Sequence, residues 1–162
     1  MRYLLVDRIG EPREGAPMTG WKNVAMSEDY LEWHFPEQPI VPGVLVLESL
    51  VQLAGWHEAA LSGFTRWFLV DVVHSARYYG FAVPGDRLEL SLEPLPAPAD
   101  GRRAWRGESK VGGERRAVVE FEGVTVALES LESRATVERA YQVLRGEVLY
   151  KGEAPAARRG RA

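Results

Sequence analysis

A chain of 162 residues with 46% hydrophobic content is long enough for one domain with its own core. Its formal charge of -3 at pH 7, with no clustered basic face before the last residues, argues against nucleic acid as the main partner. The absence of cysteine excludes disulfides, thiolate catalysis and Cys-ligated zinc, and leaves the redox compartment open.

In chain order, the start Met1-Arg2-Tyr3-Leu4-Leu5-Val6 is interrupted by Asp7 and Arg8, an apolar stretch too short for a signal peptide. Strand-like segments follow, and then a loop. Pro36, Pro39 and Pro42 each fix φ and remove a backbone donor, so residues 34–42 can be neither helix nor central strand. Pro42-Gly43 then opens an apolar run, Val44 to Leu61, in which Glu48, Gln52 and Trp56 recur at intervals of four along one helical face. The remaining positions are apolar nearly all round, which predicts a buried helix. Glu48, Gln52, His57 and Glu58 make that run an improbable membrane span, so the chain reads as soluble and cytoplasmic.

After the helix, Arg66 to Tyr78 is rich in Trp, Phe, Val and Tyr and predicts a long strand, turned at Pro84-Gly85-Asp86. Leu88 to Leu92 alternates as a half-buried strand, and Pro94 to Gly101 is a loop. Ala104–Val111 and Arg116–Leu128, joined through Gly112-Gly113, predict a hairpin. Ser130 to Arg145 carries Leu131, Ala135, Val137, Val143 and Leu144 among charges and predicts an amphipathic helix. Val148-Leu149-Tyr150 offers a short further contact, and Ala154 to Ala162, with Arg158, Arg159 and Arg161, is expected to be disordered. The domain organisation is therefore read as 1–129, a helical extension 130–150 and a tail 151–162. Helix followed by runs of strands gives an α+β class rather than a doubly wound one.

Two residues carry the chemistry. A carboxylate buried in a helix costs several kcal/mol unless paired, protonated or hydrogen-bonded, and desolvation raises its pKa above about 4.3. A glutamate so raised is a usable general acid near neutral pH, and His34 in the rigid loop is a natural base. The competing reading is that Glu48 has a structural partner and His34 only caps the loop. No Gly-x-Ser-x-Gly elbow, P-loop or dinucleotide fingerprint is present, and His34, His57 and His74 lack metal-ligand spacing, so neither metal nor cofactor is expected. His57-Glu58 reads as the wetter end of the helix.

The stretch from His34 to Gln52 resembles the motif of 3-hydroxyacyl-acyl-carrier-protein dehydratases of the FabZ/FabA type. His34, Phe35, Pro36, Pro39, Pro42, Gly43, Val44, Glu48 and Gln52 match it without a gap. Leu4 to Arg8 resembles the family's first strand, Lys22-Asn23-Val24 its second, and Ala76-Arg77-Tyr78 with Val83-Pro84-Gly85-Asp86 a later strand and turn, so the resemblance covers roughly residues 3–128. It implies a hotdog fold, an antiparallel sheet wrapped around one long helix. It also implies that His34 takes the C2 proton of a (3R)-3-hydroxyacyl thioester while Glu48 protonates the departing C3 hydroxyl, giving a trans-2-enoyl thioester. The N–H groups of Gly43 and Val44 at the helix start would stabilise the thioester oxygen, Gln52 would hold the carboxyl or the leaving water and can equally be a satisfied buried amide, and Trp33, Phe35 and Phe68 are tunnel candidates, although such aromatics are more often simple core. The site would combine the histidine loop of one subunit with the glutamate of another in a homodimer, with trimers of dimers common. The partner is an acyl carrier protein or coenzyme A thioester, in fatty-acid synthesis or a related pathway. Glutamate rather than aspartate at position 48 resembles the non-isomerising branch.

Three departures from the pattern carry expectations of their own. Glu37 replaces a glycine that tolerates φ > 0, at a cost of roughly 1 kcal/mol or more if it were left-handed, and its charge is expected to raise the pKa of His34. Tyr79-Gly80-Phe81 stands where relatives carry a basic pair and proline, which puts docking of an acidic carrier in question; the basic tail is a second place for such attraction. The chain begins at the first strand, without the helix that precedes it in relatives, so part of the tunnel cover is expected to be missing. Alternatives are a hotdog thioesterase, disfavoured by the joint spacing of His34, Glu48 and Gln52, and a catalytically silent acyl-thioester-binding protein, disfavoured by retention of both proton-transfer groups.

Overall fold

Six antiparallel strands in the order β1-β2-β4-β5-β6-β3 pack against one long helix in the computed structural model, which describes residues 4–98 and 101–147. The strands are β1 Arg8–Ile9, β2 Met18–Asn23, β3 Arg66–Tyr78, β4 Arg87–Pro94, β5 Arg103–Val111 and β6 Glu114–Ala127, and the helices α1 Gly43–Leu61 and α2 Arg134–Arg145. This is the expected α+β hotdog arrangement: α1 lies across β2 to β6, and its Leu50, Leu53 and Ala54 are fully buried against Met18, Leu92, Val119 and Phe121. Burial of that apolar area is the main favourable term in holding sheet to helix.

The alternation read from Leu88 to Leu92 places Leu88, Leu90 and Leu92 on the core face of β4. The β5–β6 hairpin turns through Gly112 and Gly113 at φ 57° and 82°, a conformation for which glycine carries no Cβ penalty. Strand β3 has the bounds the sequence predicts and lies at the sheet edge beside β6. Of its thirteen residues only Phe68 is buried.

Four expectations need correction. Leu4 to Val6 is not ladder strand: the N–H of Leu5 donates to the side chain of Gln52 at 3.0 Å, and only Arg8 and Ile9 pair with β2. Helix α1 is not buried all round, since Val44 in its first turn is 68% exposed and Glu48 is half-buried. The His57-Glu58 end is buried rather than wet, at 5% and 3% exposure. Arg66 reaches Glu58 at 2.8 Å and Arg103 at 3.7 Å, which compensates the carboxylate, while His57 packs edge-on to Trp105. Finally, α2 starts at Arg134 rather than Ser130, because Leu128–Ser130 forms a 3₁₀ turn and the Ser133 hydroxyl caps the helix by accepting from the Thr136 N–H.

Gly146 in the left-handed region closes α2. Val137 and Leu144 of α2 join the same core as α1, and Tyr141 contacts Trp56 and Phe64. The readings made for residues 148–150 and 151–162 lie outside the described residues. Among the described residues no helix is long and apolar enough to cross a membrane.

Candidate active site

The loop before α1 is built by its own backbone. Phe35 and Gln38 exchange N–H···O bonds of 3.2 and 3.0 Å across Pro36-Glu37, and the Ile40 N–H returns to the His34 carbonyl at 2.9 Å. Glu37 occupies this turn without a positive φ; Phe64 alone among the described non-glycine residues has one, so the strain anticipated for Glu37 is absent.

Within that loop, His34 Nδ1 lies 3.1 Å from the Ile40 carbonyl oxygen. A carbonyl only accepts, so the neutral imidazole carries its proton on Nδ1 and presents the Nε2 lone pair. The Phe35 ring stacks on the imidazole at 4.3 Å between centroids. One tight turn thus fixes both the tautomer and the plane of the imidazole.

Glu48 projects from the second turn of α1. Its Oε1 accepts from Gln52 Nε2 at 3.0 Å, and Gln52 Oε1 accepts from the Leu5 N–H at 3.0 Å. The irregular N-terminal segment therefore orients the amide, and the amide orients the carboxyl. Gln52 donates, so this contact engages one of the two oxygens of Glu48.

The helix start supplies a third element. No side chain caps α1, and its first acceptor, the Pro42 carbonyl, is shared by the N–H groups of Leu45 and Val46. The N–H groups of Gly43 and Val44 precede these bonds at the positive end of the helix dipole. Gly43 has a packing reason as well, since a Cβ there would lie 2.9 Å from Tyr78 Cε1.

His34 and Glu48 line two different cavities of the chain. One, of about 640 Å³, is bounded by His34, Phe35, Gly43, Val44, Tyr78 and Arg116. The other, of about 480 Å³, runs from Glu48 and Gln52 to Trp56, Trp67 and Phe68. Of the aromatic candidates, Phe68 lines the second cavity and Phe35 the first, whereas Trp33, 77% exposed, lines neither. Val44 and Glu48, four residues apart on one face of α1, stand at the edges of the two cavities.

Several lining residues escaped the sequence reading. Tyr78 and Arg116 come to the histidine from β3 and β6, far from it in sequence, and burial holds the Tyr78 phenol above its ordinary pKa. Trp67 enters through Gly55, where a Cβ would lie 2.4 Å from the indole Cζ2, and the pattern of neither segment announces that pairing. The outer wall of the glutamate cavity comes from the C-terminal segment, including Leu131, Val137 and Ala140. Among the described residues no group of three or more His, Cys, Asp or Glu side chains is placed to hold a metal ion.

Comparison with known proteins gives the family and the fold. The 3-hydroxyacyl-[acyl-carrier-protein] dehydratase FabZ of Bacillus velezensis is 39% identical over 114 residues, 69% of this chain and 79% of that protein. Its namesake from Thermoanaerobacter sp. strain X514 is 37% identical over 120 residues, 74% of this chain and 84% of the relative. Among solved structures, a hot-dog-like protein from Thermanaerovibrio acidaminovorans superposes with a TM-score of 0.59 at 18% identity, covering 77% of this chain and 90% of its own. The fluoroacetyl-CoA thioesterase FlK superposes with a TM-score of 0.57 at 15% identity, covering 80% of this chain and 98% of its own. At such identities the two structures speak for the hotdog fold alone. The model of the FabA-like domain matches residues 1–122, and with relatives of this similarity the chain belongs to the FabA-like family.

Proposed function

We propose that this protein is a hydro-lyase that removes water from (3R)-3-hydroxyacyl thioesters to give trans-2-enoyl thioesters, in fatty-acid synthesis or a related cytoplasmic pathway. The relatives named as 3-hydroxyacyl-[acyl-carrier-protein] dehydratases support the substrate class. The observation that carries the reading is the division of labour between two held groups: an imidazole with a free Nε2, and a carboxyl whose one oxygen is engaged by Gln52.

In this reading His34 Nε2 takes the proton from C2, and the charge that develops on the thioester oxygen is met by the N–H groups of Gly43 and Val44. Electrons of the C2–H bond form the C2–C3 double bond as the C3–O bond breaks. Glu48 Oε2 gives its proton to the departing hydroxyl, which leaves as water. Imidazolium and carboxylate then return to their starting forms by proton exchange through solvent. The acyl chain lies in the cavity beyond Glu48.

The active unit is a homodimer. The placement of base and acid in separate cavities of one chain supports a shared site, in which a second chain brings its histidine to each glutamate. Edge strand β3 supports the pairing: among the described residues no strand pairs with its outer side, and Leu69, Val70, Val72 and Val73 are exposed at 37–42%. Exposed apolar edges of that kind are ordinarily covered. Residues 1–129 form the catalytic unit, 130–150 an extension and 151–162 a tail, and the thioester is carried by acyl carrier protein or coenzyme A.

The test is hydration of trans-2-enoyl thioesters by purified protein, followed as loss of enoyl absorbance with free thiol monitored together. Absorbance loss without thiol is the expected result. Thiol release would identify a thioesterase instead, and silence in both channels with carrier-bound and coenzyme A substrates would point to a binding protein.

A further inference from the structure

The far wall of the glutamate cavity is made by a part of the chain that the family model does not reach. That model matches residues 1–122, whereas Leu131, Glu132, Thr136, Val137 and Ala140 line the same cavity as Glu48 and Gln52 of α1. These residues sit on an anchored element. The Ser133 hydroxyl caps α2, Val137 and Leu144 are buried, and Arg8 Nη1 donates to the Val143 carbonyl at 2.7 Å. Behind the cavity, Trp56 and Trp67 meet edge to face at 5.1 Å, and Trp67 lies against Gly55, where a Cβ would be 2.4 Å from the ring. The cavity therefore joins a polar pair, Glu48 and Gln52, to two indoles and to residues of the C-terminal segment.

We infer that the segment from Leu131 to Ala140, acting with Trp56 and Trp67, sets the acyl-chain length that the enzyme accepts, and that it selects medium chains of about ten carbons. The inference rests on the dehydratase reading for its ligand. Glu48 and Trp56 are eight residues apart on one helical face, which separates them by about 12 Å along the axis. Van der Waals contact with the indole removes about 3.5 Å of that length. An extended chain of C–C bonds near 1.5 Å advances about 1.25 Å per carbon, so about seven carbons fit beyond C3. Longer chains meet the indole pair and the α2 wall, and shorter ones leave apolar surface unfilled.

The experiment compares the full chain with Ala140→Trp, which fills the cavity from the α2 side, and Val137→Ala, which enlarges it. The readout is the ratio of kcat/KM for trans-2-decenoyl to trans-2-butenoyl coenzyme A, with trans-2-dodecenoyl as a third substrate. A fall of at least tenfold in the decenoyl-to-butenoyl ratio is expected for Ala140→Trp, and a rise of at least threefold in the dodecenoyl-to-decenoyl ratio for Val137→Ala. Unchanged ratios in both variants, with circular dichroism like that of the parent, would overturn the inference. Thr136→Leu, at an exposed position of the same wall, replaces Ala140→Trp if the latter fails to fold. Should the parent protein hydrate no enoyl thioester, the dehydratase reading fails by itself. The wall is then tested by tryptophan fluorescence titration with saturated decanoyl- and butyryl-coenzyme A, where equal affinities refute it and tighter decanoyl binding, weakened by Ala140→Trp, sustains it.

Discussion

In the proposed reaction His34 and Glu48 are each held by one neighbour. A single backbone carbonyl, that of Ile40, assigns the imidazole tautomer, and a single amide, Gln52, engages one oxygen of the carboxyl. Replacing His34 by Ala or Glu48 by Gln should each lower the hydration rate by a factor on the order of 10² to 10⁴, with the circular dichroism spectrum intact. Full rate in either variant would remove that residue from the mechanism. His57 belongs to a different economy. Burial lowers its pKa, an effect only partly opposed by the Arg13 carbonyl and Glu58; Arg103 reinforces the lowering and Glu14 opposes it. A histidine held neutral in the folded chain binds its proton more readily when unfolded. Its contribution to stability is thus complete above the unfolded pKa of about 6.5 and is lost as pH falls through it toward the lower folded value. Chemical denaturation of the parent and of His57→Gln between about pH 7.5 and 5 should show a smaller acid-side decline for the variant. Equal declines would place the acid sensitivity elsewhere.

At the scale of elements, α1 is positioned by what it lacks. Gly55 has no Cβ, and Trp67 uses that space to close the back of the cavity. Gly55→Ala should destabilise the protein by about 1–3 kcal/mol through overpacking, read as a shift of the denaturation midpoint, and should weaken long-chain substrates more than short ones as Trp67 is displaced. A neutral midpoint would mean that the indole can move without loss. Helix α2 depends on its cap: Ser133→Ala removes the acceptor of the Thr136 N–H and is expected to cost about 1 kcal/mol. Native-state hydrogen exchange in residues 134–145 would detect it as faster opening of that helix alone. The pattern of Leu131, Val137 and Leu144 made α2 legible as amphipathic. It said nothing of the element beneath, because a hydrophobic stripe specifies burial and not its counterpart.

For the whole molecule, His34 and Glu48 line two different cavities, and the proposed function therefore joins assembly to catalysis. Val72→Glu on the outer edge of β3 places a charge where the second chain is proposed to pair. It should yield a monomer by analytical ultracentrifugation with hydration activity reduced at least a hundredfold. An active monomer would show that one chain can supply both groups. Mixing His34→Ala with Glu48→Gln protein, after subunit exchange, should recover up to a quarter of parental sites, since a quarter carry both intact groups when two chains pair at random and each dimer has two sites. No recovery would argue for sites within single chains.

The spacing of His34, Pro36, Pro39, Pro42, Glu48 and Gln52 by itself determined the rigid loop and the helix that follows, because φ restriction and helical periodicity are local properties of neighbouring residues. The alternation in β4 and the Gly112-Gly113 turn were legible for the same reason. Everything that depends on residues distant in sequence was decided by the tertiary structure. It buried His57 and Glu58 by bringing Arg66 and Arg103 to them, and it diverted Leu5 from a strand to Gln52. It also set a C-terminal helix against the glutamate cavity and left the histidine in another. Those outcomes follow from packing, in which a partner is chosen by shape and charge across the folded chain, and no local pattern encodes that choice.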